Sequence, residues 1–228
     1  MKVPVPLVLS LNAGYVDTAG FLALQGLFTA HVTGNFVTFG AAAVHGTSGA
    51  FGKLLALPTF CLVIVATRLV SYGLPRLGLP VFRTMITLKM LLLAAAAIVA
   101  VRFGPFPNAD SQIALVMGMT LVAAMAIQNA AHRIHLSKAP PTTLMTGNST
   151  QIMLDLADYV RGVDPGTRTV VRNRLKSLAG SVIAFAIGCA AAAGGYVWLG
   201  MWCFSVPPAV ALVTVFGLAE RAAWEQEQ

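Results

Sequence analysis

Long apolar stretches alternate with short connections rich in Gly, Pro and charged residues along the chain. A helix that spans a bilayer needs roughly 20 mostly apolar residues. Six stretches meet this requirement, and they lie at about 6–30, 54–74, 83–102, 112–132, 177–197 and 199–219. The pattern therefore predicts an all-α integral membrane protein with six transmembrane helices, in which residues 1–228 form a single membrane domain.

A short motif occurs twice, each time after an apolar stretch. The two copies are Thr29-x-x-x-Thr33-Gly34-Asn35 and Thr142-x-x-x-Thr146-Gly147-Asn148, at an offset of 113 residues. This offset places the first three spans over the last three, as repeats of about 5–103 and 110–220. Since three is odd, the second unit would enter the membrane from the opposite side. We therefore predict two inverted three-helix repeats, a recurring plan in secondary transporters.

Each TGN motif is typical of a helix break, because Gly tolerates unusual backbone conformations and Thr and Asn can cap a following helix. The segment after the second motif, 151–164, contains three Asp residues and cannot easily span a membrane. We therefore predict short broken, re-entrant or interfacial helices after both motifs. A helix beginning at Asn35 or Asn148 would offer free N–H groups to an anion. The alternative is a structural turn that caps a helix at the membrane surface.

Composition supports the membrane class. Hydrophobic residues make up 57% of the chain and charged residues 10%, whereas soluble domains carry about 25% charged residues. The net charge of +7 does not indicate a nucleic-acid partner, because the basic residues lie between apolar stretches. With the N-terminus inside, only Lys53 and Arg102 fall on the outer side. This distribution predicts that both termini are cytoplasmic.

Few polar side chains fall within the predicted spans. Asp17 is the only acidic residue of the first span, and an ionisable group within a membrane is a functional hypothesis by default. Its structural alternative is a buried ion pair with Arg68 or Lys89. Gln128 and Asn129 could contact a solute or hold helices together. The predicted substrate-binding residues are Asp17, Thr33, Gly34, Asn35, Gln128, Asn129, Thr146, Gly147 and Asn148.

The sequence carries no motif that indicates a metal site, a nucleotide site or a catalytic centre. The three cysteines have no metal-ligand spacing, and the chain has no P-loop, dinucleotide-binding, H-E-x-x-H or nucleophile-elbow motif. We therefore predict no metal, no cofactor and no enzymatic activity. Two alternatives stay open. One is a lipid-acting membrane enzyme with its chemistry near His132, His135, Asp155 and Asp158. The other is a non-transporting scaffold that uses the small residues Gly180, Ala184, Gly188 and Ala192.

Two segments resemble the YoaK family. The first runs from Gly14-Tyr15-Val16-Asp17-Thr18-Ala19-Gly20-Phe21 to Thr33-Gly34-Asn35, and the second comprises 125–130 with 142–147. The resemblance implies a multi-pass protein of the bacterial inner membrane that carries a domain of unknown function. It provides no catalytic residues to transfer to this sequence.

These observations together predict a secondary transporter or permease for a small solute, with a polar site between the two TGN breaks. The helix N-termini at these breaks would favour an anionic solute. The expected partners are membrane lipids, the solute and a coupling proton or sodium ion. The small residues of the fifth span predict close helix packing, either within the chain or in a homodimer.

Overall fold

A computed structural model describes residues 4–162 and 164–226, and the side chains of residue 165 and of residues 217–226 fall outside this description. Within these ranges the chain is helical, which confirms the predicted all-α class. The α-helices are α1 (Val5–Ala23), α2 (Asn35–His45), α3 (Ala50–Gly73), α4 (Val81–Phe103), α5 (Gln112–His135), α6 (Met145–Gly162), α7 (Pro165–Leu199) and α8 (Val206–Gln226).

Five helical stretches of the described chain are long and apolar enough to cross a membrane. They are Val5–Ala23, Ala50–Leu77, Val81–Phe103, Gln112–His135 and Gly166–Phe216. The last one is 51 residues long and includes α7, the 3₁₀ turn Gly200–Ser205 and the first part of α8. Such helices are typical of a membrane protein. The predicted cytoplasmic termini involve residues 1–3 and 227–228, which lie outside the described ranges.

The helices α7 and α8 run in opposite directions. Leu7 packs beside Gly180 and Tyr15 beside Gly195, so α7 is parallel to α1. In contrast, the Asn12 Nδ2 donates to the carbonyl of Pro207 at 3.1 Å, and the Tyr15 hydroxyl donates to the carbonyl of Cys203 at 3.0 Å. Later residues of α1 therefore contact earlier residues around the start of α8, so α8 is antiparallel to α1. The turn between α7 and α8 reverses the chain.

Helices α1 and α5 form the centre of the bundle, because they bury the largest share of their residues among the candidate spans. The two helices are antiparallel. Gln128 contacts Leu9 near the start of α1, whereas Gly118 packs against Leu24 just beyond the end of α1. Their shared face is apolar over most of its length, with Val16, Leu121 and Met125 fully buried.

Glycines allow α1 and α7 to approach closely. A Cβ added to Gly14 would lie 2.1 Å from the carbonyl oxygen of Phe185, and one added to Gly188 would lie 2.0 Å from that of Leu11. Neither position tolerates a side chain without a shift of the backbone. Gly188 and Ala192 of the small-residue face of the fifth predicted span therefore pack within the chain, whereas Gly180 and Ala184 are half-buried. This packing removes part of the contact surface that the scaffold alternative requires.

Element boundaries differ from the sequence-based expectations at the end of α1 and at the starts of α6, α7 and α8. α8 begins at Val206 rather than near 199, because Gly200–Ser205 forms a 3₁₀ turn. α1 ends at Ala23 rather than near residue 30, because Gln25 and Gly26 adopt positive φ angles of 49° and 91°. α7 begins at Pro165 rather than near 177, since polar residues can continue a helix outside the hydrocarbon. α6 begins at Met145, so Asn148 lies within its first turns and not at its start.

Candidate functional site

The carboxylate of Asp17 holds the chain break that follows α1. Its Oδ1 accepts hydrogen bonds from the backbone N–H groups of Thr29 and Ala30, each at 2.7 Å, and from the Thr29 hydroxyl at 3.3 Å. Asp17 is buried in α1. The break leaves backbone donors without helical partners, and in an apolar bundle such donors must be satisfied. Asp17 satisfies two of them.

The other oxygen of the carboxylate pairs with a histidine. Asp17 Oδ2 lies 2.7 Å from His31 Nδ1. The side chain of His31 is 32% exposed, whereas that of Asp17 is 6% exposed. The structural alternative for Asp17 was an ion pair with Arg68 or Lys89, and the structure places His31 beside the carboxylate instead. His31 is the only ionisable residue in the segment 24–34, and that is the signal that could have identified it.

This pair lies in the wall of an open cavity of about 560 Å³ between α1, the break and α7. The lining residues are Asp17, Thr18, Phe21, Phe28, His31, Thr33, Gly34, Phe185 and Cys189. Three predicted site residues, Asp17, Thr33 and Gly34, therefore meet here. The His31 ring packs edge-on against Phe185, with ring centroids 5.3 Å apart.

The side chain of Asn35, at the start of α2, bonds back to the loop of the same break. Its Nδ2 donates to the carbonyl of Phe28 at 2.8 Å, and its Oδ1 accepts from the N–H of Phe28 at 2.9 Å. The side chain is therefore bonded on both sides to one residue of the loop. Neither Thr33 nor Asn35 caps α2, because the N-cap position is Gly34 and no side-chain cap is formed there. The geometry gives Asn35 a structural role in the loop.

The second break carries a different polar cluster. Gln128, fully buried in α5, accepts a hydrogen bond from Lys89 Nζ and donates to the carbonyl of Leu9 and to the Thr142 hydroxyl, both at 3.0 Å. The adjacent Asn129 accepts a hydrogen bond from the Thr143 hydroxyl at 2.7 Å. These bonds join α4, α5, α1 and the segment before α6.

Asn148 repeats the contact made by Asn35. Its Nδ2 donates to the carbonyl of Pro141 at 2.8 Å, again seven residues earlier in the chain. Proline has no N–H group, so the return bond of the first break has no counterpart here. Thr146 and Gly147 are exposed, and a Cβ added to Gly147 would meet nothing within 4 Å.

The structure does not bring the two TGN motifs into one site. The first break follows the end of α1, and the second follows the end of α5. Because α1 and α5 are antiparallel, the breaks lie at opposite ends of this pair. Gln128 contacts Leu9 and Leu121 packs beside Gly20, a separation of about 16 Å along α1 at 1.5 Å per residue.

The residues of the lipid-enzyme alternative contact different helices. Asp155 of α6 bonds to Arg174 of α7, and His135 of α5 packs against Phe82 of α4. The Arg174 guanidinium holds the pKa of the Asp155 carboxyl below its usual range. Among the described residues, no group of three or more His, Cys, Asp and Glu could hold a metal ion. The described contacts give this alternative no catalytic cluster.

A protein-family model described as "Protein of unknown function (DUF1275)" matches residues 5–217, which is nearly the whole chain. No curated protein matches the chain. No solved structure matches it either.

Proposed function

We propose that this chain, which belongs to the DUF1275 family of proteins of unknown function, is a secondary transporter that carries a small solute through the cavity beside Asp17 and His31. One observation supports this most strongly. A carboxylate and an imidazole lie 2.7 Å apart in the wall of an open cavity within an apolar bundle. Ionisable groups within an apolar membrane bundle are costly, and they commonly mark solute or proton pathways.

The hydrogen bonds of Asp17 link proton binding to the shape of the break. One oxygen holds the N–H groups of Thr29 and Ala30, while the other faces His31 Nδ1. When His31 gains or loses a proton, the carboxylate gains or loses a charged partner. A change in the hydrogen bonds of Asp17 then alters the position of the loop that lines the cavity. The coupling ion in this proposal is therefore a proton.

The packing of the helices supports the inverted repeat. α1 packs against α7 in the first pairing, and α5 packs against α3 in the equivalent pairing. The short helices occupy equivalent positions in the two halves, since α2 packs on α3 and α6 packs on α7. Antiparallel α1 and α5 are what an axis in the membrane plane requires. The proposal accordingly includes six spans, an inner-membrane location, cytoplasmic termini and the YoaK resemblance.

The lining of the cavity defines the solute class. Phe21, Phe28 and Phe185 offer apolar surface. The polar residues of the lining are Asp17, Thr18, His31 and Thr33. We propose a small solute with an apolar part for the rings and an anionic group for protonated His31. A proton and an anion taken up together carry no net charge, which lowers the cost of crossing the membrane.

Three compounds that share a phenyl ring test the site and its charge preference: benzenesulfonate, benzylamine and benzyl alcohol. A ligand that binds only the folded protein raises its apparent melting temperature. We expect benzenesulfonate to stabilise the purified protein and His31→Gln to abolish this effect. His45→Gln is the matched control, because His45 is exposed and lies at the far end of α2.

Uptake by proteoliposomes tests transport itself. A sulfonate stays ionised and crosses lipid poorly, so labelled benzenesulfonate should accumulate only with the protein and with an inward proton gradient. Stabilisation by benzylamine alone would reject the anionic solute. A folded protein that neither binds nor takes up any of the three compounds would contradict transport through this cavity.

A further inference from the structure

The start of α7 has no equivalent in the first half of the chain. α7 has 35 residues and α3 has 24, although they occupy the same place in the order of elements. At 1.5 Å per residue α7 is about 52 Å long, whereas the hydrocarbon core of a bilayer is about 30 Å thick. The apolar part of α7 begins near residue 177, so the excess is the basic stretch before it.

Two side-chain contacts fold this stretch back along α6. Arg174 Nε donates to Asp155 Oδ2 at 2.7 Å, and Arg168 Nε donates to the Tyr159 hydroxyl at 3.1 Å. Later residues of α7 thus meet earlier residues of α6, so the helices form an antiparallel hairpin. Asp155 is 1% exposed, so its pairing with Arg174 is the buried polar contact that joins the two helices of the hairpin.

Cations remain on the outer surface of this hairpin. Arg168, Arg172 and Lys176 are exposed and follow one another at steps of four, which places them along one side of α7. Among the side chains that the structure describes, those of residues 4–162, 164 and 166–216, no carboxylate forms a salt bridge with any of the three. These charges are therefore available to an external anion.

Apolar side chains of α6 are exposed at the same height as these cations. Met153, Leu156 and Val160 are 59%, 47% and 81% exposed. Met153 and Val160 lie on the side of α6 opposite Asp155, which faces α7, and Leu156 lies about 100° around the helix from Asp155. The pairings of Asp155 with Arg174 and of Tyr159 with Arg168 place Leu156 and Val160 level with the basic stripe. Apolar and basic groups at one height are typical of a helix at the boundary between acyl chains and headgroups.

We propose that Arg168, Arg172 and Lys176 form a binding site for anionic phospholipid headgroups, with the apolar side of α6 set against the adjoining acyl chains. The exposed apolar side chains favour a lipid over a soluble anionic partner, because a soluble partner would leave them in water. The site is separate from the proposed solute cavity, so the two proposals can fail independently.

The test uses the purified full chain and counts lipid adducts by native mass spectrometry, with phosphatidylglycerol and phosphatidylcholine offered at equal concentration. The variant is Arg172→Gln with Lys176→Gln, which leaves both contacts of the hairpin in place. Arg76→Gln with Arg83→Gln is the control, because both residues are exposed and the change in net charge is the same. Each cation near an anionic surface contributes noticeably to binding, so we expect the variant to lose about tenfold in affinity for phosphatidylglycerol.

The control should keep the preference for phosphatidylglycerol, and phosphatidylcholine binding should be equal in all three proteins. Equal losses in the variant and the control would show an effect of net charge alone and would overturn the site. The proposal is equally overturned if the wild type shows no preference. Retention of an acidic peptide or oligonucleotide through Arg172 and Lys176, without binding of phosphatidylglycerol, would assign the surface to a soluble partner instead.

Discussion

Asn35 and Asn148 make the same contact in the two halves of the chain. Each side-chain amide donates to the carbonyl seven residues earlier, that of Phe28 or Pro141, at 2.8 Å. The repeated motif therefore specifies a way to hold a loop against the start of a short helix. This is a structural use of the motif, and it applies in both halves although the loops lie at opposite ends of the bundle.

Replacing the two asparagines by alanine should destabilise the protein to different extents. Asn35→Ala removes bonds to both the N–H and the carbonyl of Phe28, whereas Asn148→Ala removes one backbone bond. A buried backbone group left unsatisfied costs about 1–3 kcal/mol, so Asn35→Ala should lower the melting temperature more. The exposed Asn173→Ala is the control. Unchanged stability with lost ligand binding would instead assign Asn35 to the solute.

Alanine substitutions at two glycines should have opposite effects on stability, because one glycine lies in a tight helix contact and the other at an open position. Gly188→Ala would drive a methyl group into the carbonyl of Leu11, so we expect loss of more than about 3 kcal/mol or no folded protein. Gly40→Ala adds a methyl group to a helix position with nothing within 4 Å and should stabilise by up to about 1 kcal/mol. Thermal unfolding of both proteins in one detergent checks this. A stable Gly188→Ala would contradict the packing of α1 on α7.

Asp17→Ala and Asp17→Asn should differ in stability. Alanine leaves the N–H groups of Thr29 and Ala30 without an acceptor, which should cost at least about 2 kcal/mol. Asparagine keeps an acceptor oxygen there and should cost less, while it removes the negative charge beside His31. Denaturant unfolding compares the two variants. If both are equally stable, the carboxylate does not hold the break.

The bond between Lys89 and Gln128 can be measured by a double-mutant cycle. Gln128→Leu leaves the fully buried Nζ of Lys89 without its acceptor, and a buried donor left unsatisfied typically costs about 1–3 kcal/mol. Lys89→Met removes the donor and leaves the buried Oε1 of Gln128 unsatisfied, so it should also cost about 1–3 kcal/mol. The double variant should regain part of the stability lost in Gln128→Leu. Additive effects would show that the two residues do not interact.

The ion pair between Asp155 of α6 and Arg174 of α7 should persist at all but strongly acidic pH. Arg174 lowers the pKa of Asp155, so the ion pair contributes its full stability above the ordinary carboxyl pKa of about 3.9 and loses it as the pH falls through the lowered value. The protection factors of α6 amides, which are exchange rates corrected for the intrinsic pH dependence, should therefore be constant between pH 5 and 8. Asp155→Asn should lower these protection factors throughout that range. Protection in the wild type that is already lower at pH 5 than at pH 8 would contradict the lowered pKa.

Much of the membrane architecture follows from the one-dimensional pattern. Apolar runs of about 20 residues can only be satisfied by helices in a bilayer, so the helical class could be predicted from the sequence. The repeated motif likewise predicted two chain breaks, each followed by a short helix. These features are local, and they depend on which residues are neighbours along the chain.

The partners of the polar residues depend on contacts between distant segments. Nothing in the sequence tells whether Asp17 pairs with Arg68, Lys89 or His31, because the choice is made where the break folds back against α1. The expectation of one site between the two TGN motifs fails for a related reason. The sequence determined the two breaks, but only the antiparallel packing of α1 and α5 decided that they lie at opposite ends, since the direction of a helix is fixed by what it packs against.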